Sequence, residues 1–282
     1  MFLLLVVSVL WALSFGLTAQ VSGLGAPFVT AVRTLLAALV FLPFLNLKGL
    51  APKRVAAFAA IGALQFGLMY LLYIASFQWL RSSEVALFTI FTPLVVTLVG
   101  DLLEGRSTGR VWLAVVVAVL GTGICVWSGL GRAGLLWGFL LMQGANLCFA
   151  LGQVLYRREA PAAGRRDHQL MGLLYLGAAA VAVAFAAPSI SWDKVLAMTF
   201  RQGMVLVYLG AVASGLGFFL FNAGARRTDL GTLAIFNNVK IPLAILASGL
   251  VFRETIDWPR LVLGGSVIVL ALALNGFSGG RP

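Results

Sequence analysis

The chain has 282 residues, of which 61% are apolar and 10% charged, with a net charge of +11. A soluble domain carries about a quarter charged residues, so most of this surface is not made to meet water. The two cysteines, Cys125 and Cys148, fall inside apolar runs and read as buried thiols, not as a disulfide framework.

Apolar runs of roughly 18–25 residues, the length that crosses a bilayer core of about 30 Å, are separated by short charged breaks. They predict transmembrane helices at 2–21, 26–47, 55–79, 83–100, 111–130, 133–155, 169–188, 203–224, 231–251 and 258–276. Inside hydrocarbon each backbone amide must be satisfied within its own segment, so the runs are helices. The alternating segments of a β-barrel do not occur. The first run opens Met1-Phe2-Leu3 with no positive flank and no small-residue cleavage site, so it is read as a retained helix and not as a signal peptide. The fold class is therefore an all-α membrane protein of ten helices.

Ser8, Trp11, Ser14 or Phe15, and Thr18 share a face of helix 2–21. Arg33 lies about seven residues into helix 26–47, and Lys240 about nine into helix 231–251. At 1.5 Å per residue both are roughly 10–14 Å from a helix end. Ionisable groups at such depth are costly and mark functional sites. No acidic residue lies equally deep: Glu84 is at the mouth of helix 83–100, with Asp101 and Glu104 at its other end. One reading makes an anionic group of the substrate the missing partner. The other has the two cations bond backbone carbonyls near Pro43, Pro93 or Pro242, or snorkel; for Arg33 that structural reading is favoured, and for Lys240 the two stand level.

In helix 55–79, Tyr70 and Tyr73 are candidate pocket walls, with Trp11, Phe15, Phe91, Phe218, Phe221 and Phe236 as further aromatics that could line an amphipathic pocket. Pro93 removes a backbone hydrogen bond near Thr89 and Thr92, and Pro242 does the same beside Asn237, Asn238 and Lys240. Helix 133–155 carries Gln143, Asn146 and Gln153 on one stripe, and helix 203–224 carries Ser214, Phe218 and Asn222 at steps of four. A single serine or threonine on such a stripe reads as an interhelical hydrogen bond of about 0.6–2 kcal/mol; Gln143 with Asn146 needs more partners than one neighbour gives. The candidate substrate-binding set is thus Trp11, Ser14, Arg33, Tyr70, Tyr73, Phe91, Gln143, Asn146, Phe218, Asn222, Asn237 and Lys240. Gly121-Thr122-Gly123 and Gly264-Gly265-Ser266 allow close helix contact and stay outside that set.

Loops after even-numbered helices, with the C-terminus, hold twelve Lys and Arg: Lys48, Lys53, Arg54, Arg106, Arg110, Arg157, Arg158, Arg165, Arg166, Arg226, Arg227 and Arg281. The other loops hold six: Arg81, Arg132, Lys194, Arg201, Arg253 and Arg260. That asymmetry places both termini in the cytoplasm. Charges scattered in this way describe orientation and no nucleic-acid surface.

Gly67-Leu68-Met69-Tyr70-Leu71-Leu72-Tyr73-Ile74-Ala75 resembles Gly215-Leu216-Gly217-Phe218-Phe219-Leu220-Phe221-Asn222-Ala223 at an offset of 148, and Pro93-Leu94 matches Pro242-Leu243 at 149, with Glu104 and Glu254 following. Residues 1–130 and 131–282 read as two five-helix repeats. An odd number of helices makes them inverted in topology, an architecture of alternating-access carriers.

The Trp11-Ala12-Leu13-Ser14-Phe15 start, the two-fold repeat, the Ser83-Glu84 to Pro93-Leu94 stretch leading to Glu104, and the Pro242 to Glu254 stretch resemble the drug/metabolite transporter superfamily, and within it the EamA family of bacterial ten-helix permeases. The resemblance covers the whole chain. It implies a multi-pass protein of the bacterial inner membrane that moves a small metabolite through a cavity between its halves. An amino acid or related amphipathic organic anion, exported, is the expected cargo; a sugar or drug permease is the alternative. Its small-residue helices are implied to be scaffold or dimer helices, so a homodimer is allowed. With one histidine, His168, read as lying in a loop, and two isolated cysteines, neither an enzyme nor a metal site is expected, and no cofactor is implied. A channel is the third class, which the kinked, repeated helices fit less well.

Overall fold

The structure, a computed structural model, describes residues 2–104, 133–225 and 240–253 apart from 242 and 245, with single positions between 113 and 120 and between 258 and 270. Every described element is helical. Among the described residues, seven helices are long and apolar enough to cross a membrane: α1 Phe2–Leu24, α2 Ala26–Phe44, α3 Pro52–Ser76, α4 Ser82–Leu103, α5 Leu135–Glu159, α6 Asp167–Ala186 and α7 Phe200–Phe221. They correspond to the first four, sixth, seventh and eighth predicted helices. Those predicted at 111–130, 231–251 and 258–276, with their glycine pairs, lie wholly or largely outside the described residues, although helical residues occur between 240 and 250.

Several helices begin before their apolar run. Pro52 opens α3, where its missing N–H costs nothing. The Arg81 N–H donates to Glu84 Oε2 at 2.8 Å ahead of α4, and the Arg166 N–H donates to Gln169 Oε1 at 3.1 Å ahead of α6. Thr199 and Gln202 satisfy each other's backbone amides at the start of α7. Such first turns are polar because they cap orphan N–H groups, and hydropathy does not register them. His168, expected in a loop, therefore lies in the first turn of α6, edge-on to Phe44 and Phe219.

Three helices are irregular inside the bundle. α3 widens to a π-helix over Ala63–Leu68 and α7 over Tyr208–Leu216. α4 tightens to a 3-10 turn over Thr89–Phe91, immediately before Thr92-Pro93, as expected where proline withholds the hydrogen bond that its i−4 carbonyl would accept. Glycines set the closest contacts. α3 meets α6 so tightly that a methyl group at Gly62 would fall on the Leu174 carbonyl, and one at Gly177 on the Ala59 carbonyl. α7 approaches α2 in the same manner, with Gly210 against Leu36 and the Arg33 carbonyl.

The core runs through the centre of the bundle, where Tyr175 is fully buried and stacks on Phe66 at 4.7 Å and on Phe41 at 6.2 Å. The outer faces carry Leu39, Trp137, Leu140, Leu147 and Phe185, all exposed. Water would not tolerate such a belt, and lipid does.

Gly177→Ala is expected to lower stability by about 1–3 kcal/mol, the usual cost of overpacking, despite the roughly 0.5–1 kcal/mol that alanine gains intrinsically in a helix. Gly23→Ala, with no atom near the added carbon, is expected to stay within about 0.5 kcal/mol of the parent. Thermal unfolding of the two detergent-purified variants checks the contrast.

Candidate functional site

The bundle surrounds a cavity of about 610 Å³, a figure that includes the open space at its mouth. α1 supplies Trp11, Ser14 and Phe15, and α3 supplies Tyr70 and Tyr73. Thr89 and Thr92 come from α4, and Met142, Asn146 and Phe149 from α5. Arg33 of α2, Phe218 of α7 and Lys240 complete the lining.

Arg33 is 3% exposed. Its Nε and Nη2 donate to Ser214 Oγ at 3.2 and 3.1 Å, and Nη1 donates to Thr18 Oγ1 at 3.2 Å. Its guanidinium carbon lies 4.1 Å from the centre of the Tyr70 ring, where the aromatic quadrupole favours a cation. Ser214 Oγ spends both lone pairs on Arg33, so its hydrogen goes to the Tyr70 hydroxyl at 2.7 Å. Arg33 thus neither snorkels nor leans on carbonyls freed by proline. Hydroxyls and a ring face surround it, and none of these neutralises its charge.

The π segment of α7 makes the backbone around Ser214 a junction. Trp11 Nε1 donates to the Ala213 carbonyl at 2.9 Å, and the Tyr175 hydroxyl donates to the Ser214 carbonyl at 2.8 Å. Wide turns of this kind recur at functional sites. A carbon added at Gly217 would stand 2.9 Å from Trp11 Nε1, so the bare glycine lets the indole in. The indole packs against Phe218 and Phe221 at 4.8 and 5.2 Å, and Lys240 Nζ lies 4.9 Å from its ring centre. The cavity therefore pairs two buried cations with aromatic walls.

On α5, Asn146 is 3% exposed. Its Nδ2 donates to the Phe88 carbonyl at 2.9 Å and to Gln143 Oε1 at 3.2 Å, and its Oδ1 accepts from Thr92 Oγ1 at 3.0 Å. The 3-10 turn ahead of Pro93 places Phe88, Thr89 and Thr92 together within reach of α5.

Among the candidate residues, Trp11, Ser14, Arg33, Tyr70, Tyr73, Asn146, Phe218 and Lys240 are brought to the cavity. Gln143 stands behind Asn146 and steadies its amide. Phe91 turns away, into a cluster with Ile90, Leu94 and Ile241. The Asn222 side chain, Phe236 and Asn237 lie outside the described residues. This combination of a multi-pass bundle and a central cationic cavity is what a small-metabolite carrier needs.

The model of the EamA-like transporter family matches residues 1–127 and 136–277. The chain belongs to the EamA-like transporter family. This EamA-like protein is thus a secondary transporter and not an enzyme. It is 40% identical over 285 residues to a Pseudomonas aeruginosa protein named "Probable biotin transporter", across 96% of each chain. It is 36% identical to proteins named "Biotin transporter" from Salmonella typhimurium and Escherichia coli K12, across 96% of this chain and 91% of theirs. A solved crystal structure superposes on 99% of this chain and 98% of its own with a TM-score of 0.68 at 17% identity, a likeness of fold alone.

The EamA-like cavity also uses residues outside the candidate set. Thr89, Thr92 and Phe15 were visible as neighbours of the candidates. Met142 and Phe149 stand four residues before and three after Asn146, positions that share its helix face, and that spacing was the available signal.

Ser214→Ala removes the acceptor of two Arg33 donors. Leaving them buried without a partner costs about 1–3 kcal/mol, and the expected outcome is a lowered unfolding midpoint of the purified EamA-like transporter, read by intrinsic tryptophan fluorescence.

Proposed function

We propose that this transporter carries biotin, or a metabolite sharing its terminal carboxylate, apolar chain and compact polar ring, across the bacterial inner membrane by alternating access. The observation that carries the reading is the paired placement of Arg33 and Lys240 on one small cavity. Two cations side by side in a low-dielectric interior favour an anion between them, and one carboxylate can serve both. Trp11, Tyr70, Tyr73 and Phe218 suit the apolar part of such a ligand. The relatives named biotin transporters, 36–40% identical over nearly full length, support biotin as that organic anion.

The carrier mechanism rests on two inverted halves, residues 1–130 and 131–282, within ten helices, both termini being cytoplasmic. Packing between the halves supports this. α2 lies on the π segment of α7, and α6 lies on that of α3; α1 packs on α7, and α3 packs on α5. The π segments themselves overlap when offset by the 148 residues of the sequence repeat. Reciprocal contacts of this kind are what a pseudo-twofold axis in the membrane plane produces, and exchanging the two arrangements moves the opening from one side to the other. Among the described residues no carboxylate reaches the cavity. That favours facilitated diffusion or exchange over proton coupling, with export the favoured direction.

In proteoliposomes, labelled biotin should show saturable counterflow. Lys240→Ala should raise KM by roughly tenfold or more, the loss of about 1.5–3 kcal/mol expected of a charge-assisted bond. Uncharged biotinamide competing as well as biotin, with no dependence on Lys240, would sink the reading.

A further inference from the structure

We infer that the α4–α5 wall of the cavity, formed by Thr89, Thr92 and Asn146, selects cargo by its N–H donors, so that the ligand carries a cyclic urea, lactam or amide in addition to its carboxylate. The inference rests on the carboxylate-carrier reading and deepens it. It follows from counting hydrogens. Each hydroxyl has one hydrogen to give and lone pairs to accept with. Thr89 Oγ1 donates its hydrogen to the Ala86 carbonyl at 2.7 Å. Thr92 Oγ1 donates to Asn146 Oδ1 at 3.0 Å. The Phe88 carbonyl can only accept, so it fixes which way the Asn146 amide points, and both Nδ2 hydrogens are used, on Phe88 and on Gln143. What these three lining residues keep for a ligand is acceptors alone: the lone pairs of Thr89 and Thr92 and the second lone pair of Asn146 Oδ1; the unpartnered Gln143 Nε2 lies behind Asn146, off the lining. These residues are 9%, 5% and 3% exposed, so a bound ligand strips whatever water reaches them.

The other wall has the opposite character. Arg33 is a donor throughout, and the Tyr70 hydroxyl receives the hydrogen of Ser214, which leaves its own hydrogen free to be given. A ligand is therefore oriented with its anion against Arg33, Tyr70 and Lys240 and its N–H groups against α4 and α5. A carbonyl or ether oxygen turned toward Thr89 and Thr92 would face lone pairs only. A site built to bond an N–H rejects an analogue that lacks it more strongly than a site that only measures size.

The test is competition against labelled biotin in proteoliposomes of the full-length protein, with binding read in parallel as thermal stabilisation in detergent. Four carboxylates serve as probes: biotin, desthiobiotin with both ring N–H groups kept, biotin methylated on both ring nitrogens, and lipoate with none. Biotin and desthiobiotin are expected to bind alike, and the methylated analogue and lipoate at least about tenfold more weakly, from the loss of one or two buried bonds. Thr92→Val and Thr89→Val keep the shape and remove the acceptor, so each should narrow the ratio between biotin and lipoate. A merely structural role would weaken all four probes equally and leave the ratio unchanged, which overturns the proposal. Methylated biotin or lipoate equal to biotin on the parent protein overturns the acceptor wall and leaves the carrier reading standing. Failure of all four probes to bind overturns both.

Discussion

A guanidinium buried in the middle of a membrane protein takes most of its partners from the helices around it, because hydrocarbon offers none. Arg33 finds them on three helices at once: Thr18 on α1, Tyr70 on α3 and Ser214 on α7. Each of those contacts has a requirement of its own. Ser214 reaches Arg33 because α7 lies close on α2, which Gly210 permits. The carbonyls of Ala213 and Ser214 take the Trp11 indole and the Tyr175 hydroxyl where α7 is wound as a π-helix. Trp11 fits beside α7 because Gly217 has no side chain. The cavity walls are consequences of solving the burial of one charge.

That dependence explains what the sequence disclosed. Arg33 and Lys240 stood out because a cation in an apolar run is costly and needs partners, and both are on the cavity. Asn146 was legible for the same reason in weaker form. The π segments were invisible, since a shift from i−4 to i−5 bonding changes no residue type; the clustering of Gly210, Ala213, Ser214 and Gly215 reads equally well as ordinary close packing. The packing of Phe91 on Ile241 was not legible, because a phenylalanine near Pro93 looks the same whether it lines a pocket or joins such a cluster. Helix starts were placed late at α3, α6 and α7 because a capping turn is polar by necessity.

The cavity divides its polar labour between helices. Hydroxyls near Arg33 act as acceptors toward the guanidinium, and the charge stays available to an anion because no carboxylate among the described residues touches it. Hydroxyls on α4 give their hydrogens to carbonyls and to Asn146. The same side-chain type thus faces the cargo with different polarity on each wall, and what decides the polarity is which backbone carbonyl or cation lies behind the hydroxyl.

This arrangement bears on alternating access. A carrier must bind its cargo with groups that stay put while the helices move, or with groups whose movement the cargo itself drives. α4 and α5 are tied by the bonds from Asn146 to Phe88 and from Thr92 to Asn146, and α1, α2, α3 and α7 are tied by the Arg33 cluster. A ligand with its anion in one cluster and its N–H groups in the other bridges both. On the proposed reading, the free energy of bringing the clusters together depends on whether cargo spans them. Occupancy and conformation are, on that same reading, coupled by one molecule that bonds both sets of buried polar groups.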